Sequence, residues 1–173
     1  MTFRPITLPP KDLDSLTKIQ SSLVLPRFNS DDAWTIGNRL RSRLVEHSTP
    51  AVISILLAST PVPRVLFHTT TRPGTNPDND IWVARKARTA FRFGVSSYYM
   101  GRKFSMNDTE FATKYGIGPE EVSGYAIHGG AVPIRVKDVE GVVAVIVVSG
   151  LSQEEDHGVI VEILEQYSKG QDS

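Results

Sequence analysis

"AVPIRVKDVEGVVAVIVVSG", residues 131–150, is the stretch on which the fold turns. Two apolar, β-branched runs, "PIRV" and "GVVAVIVVSG", flank Lys137 to Gly141, a segment suited to closing a hairpin. The second run falls far below the roughly 18 apolar residues that span a bilayer, so it reads as a strand. Upstream, "AVISILLAS" and "RVLFHTT" are separated by "TPVP" and predict a second strand pair. Pro61 and Pro63 fall between the runs, where a ladder requires no donor.

Helical spacing fills the remainder. Leu13, Leu16, Ile19, Leu23 and Val24 recur between Pro9-Pro10 and Pro26, and Ala33, Ile36, Leu40 and Leu44 form a stripe after a cap at Ser30 or Asp31. The loop 71–80 leads to a helix beginning near Ile81, capped by Asn79 or Asp80 and ending by Gly94. A short helix is expected near 108–115. Ser152 and Glu155 stand at capping-box spacing before a C-terminal helix carrying Val159, Ile160, Ile163, Leu164 and Tyr167. The order helix, helix, strand, strand, helix, strand, strand, helix lacks strict βα alternation. It therefore predicts an α+β domain with a mainly antiparallel sheet packed by helices.

One core suffices for 173 residues, a length that buries about 70% of its unfolded surface. The expected organisation is a single domain, 1–173, with an N-terminal helical extension at 1–27 and a flexible tail at 168–173. Lys plus Arg and Asp plus Glu number 19 each, so no global field gathers nucleic acid or an anionic membrane. The chain has no cysteine, which excludes a disulfide scaffold and a thiolate metal site and fits a reducing, cytoplasmic setting. The N-terminal segment lacks an apolar secretion core, and neither secretion nor membrane insertion is expected.

Several residues have a functional reading beside a structural one. In "AIHGG", Gly129 and Gly130 can turn tightly or aim N–H groups at an anion, with His128 tilting the pair towards a site. His68 ends a strand before a long loop, and His157 follows an acidic run that a helix N-terminus stabilises. Asp156 and His157 are sequence neighbours that point apart and do not form a dyad. Arg85, Arg88 and Arg92 form a helical stripe bordered by Trp82: either a solvated face, or guanidiniums able to hold a carboxylate or phosphate beside a stacking surface. The P-loop, dinucleotide, zincin and G-x-S-x-G motifs do not occur, and a triad built on Ser96 or Ser97 has no support in the spacing.

The strings "TNPDNDIWVARKARTAFRFGVSSYYMG", "YAIHGGAVPIRV" and "VVSGLSQEEDHGVIVEILEQY" together resemble the GlcG/HbpS-like, or haem-degrading domain, family in its stand-alone branch of bacteria and fungi, from about Phe28 to Tyr167. The resemblance implies a central antiparallel sheet of five strands with helices on both faces, in profilin-like layering. It also implies symmetric homo-oligomers, haem or corrinoid binding in some members, and, for fungal members, a link to chaperone-assisted targeting of tail-anchored membrane proteins. Val95 stands where the branch often has a histidine before the Ser-Ser pair. The positions that match are Asn79, Trp82, Arg85, Lys86, Ser97, His128, Gly129, Gly130, Asp156 and His157.

Two functions follow as expectations. The first is a non-catalytic, cytosolic homo-oligomer binding a small anionic ligand or a chaperone or targeting protein, with no confident cofactor. The alternative is a haem- or tetrapyrrole-binding or haem-degrading protein, with His68, His128 or His157 on iron and Arg85 on a propionate. Arg85, Lys86, His128 and His157 are expected to converge on one anion-binding cleft walled by Trp82.

Overall fold

Both expected hairpins form, and they share one sheet. In the computed structural model, which describes residues 3–171, the strands are β1 (Val52–Leu57), β2 (Arg64–Thr70), β3 (Ala131–Ile134) and β4 (Ala144–Ser149). Their order is β2-β1-β4-β3 and every neighbouring pair is antiparallel, which places the two hairpins side by side. The β1–β2 ladder pairs Val52 with Thr70 and Ile55 with Phe67, then slips by a bulge between Ile55 and Leu56.

The sheet has four strands rather than the expected five. The segment nearest to a fifth is Leu25, which makes a single parallel bridge to Val136, donating to the Arg135 carbonyl at 2.9 Å and accepting from Lys137 N at 2.9 Å. The pairing does not extend beyond this one bridge.

The near-continuous apolar character of β4 has its cause in burial on both sides. Ala144, Ile146 and Val148 face α2 (Ser30–Leu44) and α7 (Gln153–Gln171), together with Ile53, Ile55 and Phe67 from the neighbouring strands. Val145 and Val147 face α3 (Pro77–Phe93), together with Val52. Each fully buried Val or Ile contributes about 1.5–3 kcal/mol, so the two faces make β4 the spine of the domain. Helix α2 lies close over β2 because Gly37 has no side chain. A Cβ there would sit 2.5 Å from the Phe67 ring.

Helix starts fall slightly earlier than the sequence expectation. Asn29 caps α2 in a capping box with Asp32, and Asn76 caps α3 in one with Asn79, Pro77 occupying the first helical turn. Helix α3 ends at Gly94, in the left-handed region at φ 64°. Three further helices, α4 (Ser97–Lys103), α5 (Asp108–Tyr115) and α6 (Pro119–Val122), surround a separate aromatic cluster of Phe104, Phe111, Tyr125 and their neighbours.

The N-terminal extension is docked. From α1 (Leu13–Ser22), Gln20 donates to the Gly94 carbonyl at 3.2 Å and accepts from Ser96 N at 3.1 Å, and Ile6, Leu16 and Leu23 are buried. Helix α7 continues through Gln171 where a loose tail was expected from Ser168; the last two residues of that tail lie outside the described residues. Among the described residues no helix is long and apolar enough to cross a membrane.

A cleft at the junction of α3, the His-Gly-Gly turn and α7

The α3 face that meets β4 carries Lys86, and the first turn of α7 carries Asp156. Their side chains are 4% and 2% exposed and form an ion pair at 2.9 Å, with the Lys86 ammonium also donating to the Val148 carbonyl at 3.2 Å. Asp156 accepts in addition from Leu151 N at 3.0 Å and Gly150 N at 3.4 Å, which fixes the bend between β4 and α7. Burial pushes the Asp156 carboxyl above the usual carboxylate range, against the opposing pull of Lys86 and the two backbone donors. One pair of charges thus ties α3, β4 and α7 together.

The His128-Gly129-Gly130 turn is pressed against this pair. Gly130 has φ 122°, and a Cβ there would stand 2.4 Å from the Val148 carbonyl oxygen and 2.8 Å from Lys86 Nζ. At Gly129 a Cβ would lie 2.3 Å from the Gln153 carbonyl oxygen, and its N–H donates to Gln153 Oε1 at 3.1 Å. Both glycines are therefore required by close approach, and the Gly129 amide expected to greet an anion is already used. The helix end is satisfied likewise: Ser152 and Glu155 form the expected reciprocal box, Ser152 N donating to Glu155 Oε2 at 3.3 Å and Glu155 N to Ser152 Oγ at 3.2 Å. The Ser152 hydroxyl holds the Glu155 carboxyl below its ordinary value.

Above the ion pair opens a cleft of about 270 Å³, lined by Asp78, Asn79, Trp82, Lys86, His128, Ser149, Gly150, Leu151, Gln153 and Asp156. Trp82 and His128 meet edge to face, ring centres 4.9 Å apart, and form its aromatic wall. Burial, chiefly, pushes the half-buried His128 imidazole below its ordinary value, Lys86 and Arg85 adding to the effect and Asp108 opposing it, so the ring is neutral at pH 7. His128 Nδ1 is buried and has no hydrogen-bond partner among the described residues. Asn79 lines the cleft while its Oδ1 accepts from Asn76 N at 2.9 Å.

Of the four side chains expected to converge, Lys86 and His128 share the cleft and two do not line it. Arg85 stacks on Trp82, its guanidinium carbon 4.4 Å from the ring centre, and donates to the Tyr125 carbonyl at 3.1 Å. His157, adjacent to Asp156 on a helix, points away from it as helical geometry requires. It is buried under the N-terminal segment, beside Thr7, Pro9 and Pro10, with its ring 5.0 Å from that of Tyr98. Burial lowers its pKa to about 4. Ser97 is fully buried and its hydroxyl accepts from Ala131 N at 3.0 Å, so it anchors β3 and is no exposed nucleophile. His68 lies at the exposed edge strand, 3.3 Å from Asp80. Ser149, Gly150, Leu151 and Gln153 complete the cleft; the "SGLSQ" string shows a strand end and a helix start, but only the fold shows that this bend faces Trp82.

The cleft is a poor match for haem within one chain. It lies below the about 300–1,000 Å³ typical of pockets that bury drug-sized ligands. Of the three candidate iron ligands only His128 borders it, with no acceptor on its Nδ1 to orient the ring. A propionate would meet Asp78 and an ammonium already paired with Asp156. Among the described residues no cluster of three or more His, Asp or Glu side chains is disposed to hold a metal ion.

Residues 28–165 match the family model described as haem degrading protein HbpS-like. A UPF0303 protein of Streptomyces avermitilis is 40% identical over 158 residues, covering 91% of each chain, and one of Streptomyces coelicolor is 41% identical over 152 residues, covering 88% of this chain and 90% of the relative. The crystal structure of the Ybr137w protein superposes with a TM-score of 0.84 at 31% identity, covering 98% of this chain and all of that one. That of HbpS gives 0.60 at 16% identity over 81% of this chain and 89% of the other, a likeness of fold alone.

Proposed function

We propose that this chain, which belongs to the HbpS-like family, is a non-catalytic cytosolic binding protein that works as a homo-oligomer and holds a small polar molecule in the Trp82–His128 cleft. The observation that carries this reading is a rigid frame behind an open wall. The Lys86–Asp156 pair and the tightly fitted Gly129-Gly130 backbone hold three elements together, while the Trp82 and His128 rings border the opening, with the buried His128 Nδ1 lacking a partner among the described residues. Such preorganisation lowers the cost of binding.

The charge balance argues for an uncharged ligand. Lys86 and Asp156 cancel, His128 is neutral and Asp78 adds a negative charge, so the anion expected from the sequence loses most of its attractors. Assembly is supported by unburied apolar surface at edge strand β2: Trp34 of α2, against Phe67, is 65% exposed, and Val65, which the register places with Leu56 on the α3 side, is 57% exposed.

Titration with haemin, followed in the Soret band for the wild type and His128→Ala, separates this reading from haem binding. The proposed function predicts the same spectrum for both. A saturable shift in the wild type that His128→Ala abolishes would replace it with a haem-binding function.

A further inference from the structure

On the opposite flank of α3 lies a second and larger cavity, of about 920 Å³. Its floor is apolar, formed by Leu56 of β1 and by Ala84, Ala87 and Phe91 of α3, and the loop 58–63 between β1 and β2 walls one side. The other side carries Arg88 and Arg92, one helical turn apart, with Tyr125 between them. The guanidinium carbons lie 4.2 Å and 5.4 Å from the Tyr125 ring centre, and Arg92 donates to the Tyr125 hydroxyl at 2.6 Å. Tyr125 is itself buried, so the two cations are held on a fixed support.

These cations are poorly neutralised. Arg88 has only an exposed contact to Glu121 at 3.8 Å, and no carboxylate among the described residues pairs with Arg92. Gly124 leaves room for this arrangement, since a Cβ there would lie 2.3 Å from Arg88 Nη1. The cavity lining includes no His, Met, Asp or Glu, the chain has no Cys, and the Tyr125 hydroxyl is already engaged by Arg92. An apolar trough ending in a pair of guanidiniums is complementary to a molecule with an apolar body and one acidic head.

We infer that the cavity between α3 and the β1–β2 loop binds a small apolar carboxylic acid, its chain or ring over Ala84, Ala87 and Phe91 and its carboxylate between Arg88 and Arg92. The site lies on a different face of α3 from the Trp82–His128 cleft and stands independently of the function proposed for that cleft.

The test is calorimetric titration of the full chain with sodium decanoate and, in parallel, with decan-1-ol. Decanoate is expected to bind one per chain, and decanol, which lacks the charge, about tenfold or more weaker, the loss typical of a hydrogen bond to a charged group. In Arg92→Gln, at an exposed position, decanoate should fall to the decanol level. In Ala84→Trp, where an exposed helix position fills the trough, both should be lost while binding of any small molecule at Trp82 and His128 persists. Equal affinity for acid and alcohol, no binding of decanoate, or unchanged decanoate binding in Ala84→Trp would each overturn the inference.

Discussion

Replacing Lys86 by Met is the most demanding test of the frame behind the cleft. The substitution keeps an unbranched chain one atom shorter and deletes its charge, leaving the Asp156 carboxylate buried with two backbone donors, Leu151 N at 3.0 Å and Gly150 N at 3.4 Å. Breaking a buried pair in this way costs about 3–5 kcal/mol, because the remaining ion is uncompensated. The two amide donors keep the loss near the lower bound, about 3 kcal/mol. At about 2–4 °C per kcal/mol for a chain of this size, the melting temperature should fall by about 6–12 °C. Adding Asp156→Asn removes the stranded charge while preserving an acceptor for Leu151 N, so the double variant should recover to within about 1 kcal/mol of the wild type. Urea denaturation followed by circular dichroism at pH 7 measures all three proteins. A single variant within 1 kcal/mol of the wild type, or a double variant no more stable than the single, would refute the claim that this pair ties α3, β4 and α7 together.

Other outcomes follow from the same geometry. His157 has a folded pKa of about 4 against about 6.5 in the unfolded chain, so below pH 6.5 the unfolded chain takes up a proton that the folded one refuses. Its contribution to stability is complete above pH 6.5 and falls by about 3 kcal/mol as the pH drops to about 4; comparison with His157→Phe across that range should show the variant losing correspondingly less. Gly130→Ala, at φ 122° with a Cβ 2.4 Å from the Val148 carbonyl, should lose at least about 2 kcal/mol, whereas His128→Ala should stay within about 1 kcal/mol of the wild type. Equal melting temperatures for those two variants would contradict the turn geometry. Ser97→Ala should lose about 1–3 kcal/mol by leaving Ala131 N buried without an acceptor, which thermal denaturation reports.

The hairpins were legible because their signals are local: β-branched runs with turn residues between them, and in β4 a burial so complete that no polar residue interrupts Ala144 to Val148. Helices α2, α3 and α7 were legible from spacing, although the caps of α2 and α3 are asparagines lying before the serine or aspartate that also suits the role. Helix α4 was hidden because Ser97, Tyr98, Met100 and Gly101 are all buried, which erases the polar-apolar period. The expectation of a fifth strand came from the family resemblance, since the sequence itself offers four strand runs, and the single bridge at Leu25 is as near to a fifth as the described residues come. At the cleft, the sequence marked Trp82, Lys86, His128 and Asp156 without showing that the last two approach through different elements. Arg85 and His157 were misplaced for one reason: each neighbours a cleft residue on a helix, where consecutive side chains diverge.

Native mass spectrometry of freshly purified wild type beside His128→Ala addresses the binding function most directly, because it reports subunit number and bound small molecules together. The proposed function predicts an oligomer for both proteins, with one small-molecule adduct per chain on the wild type and none on the variant. Bare wild-type chains, or an adduct retained equally by His128→Ala, would contradict a ligand site at the Trp82–His128 cleft.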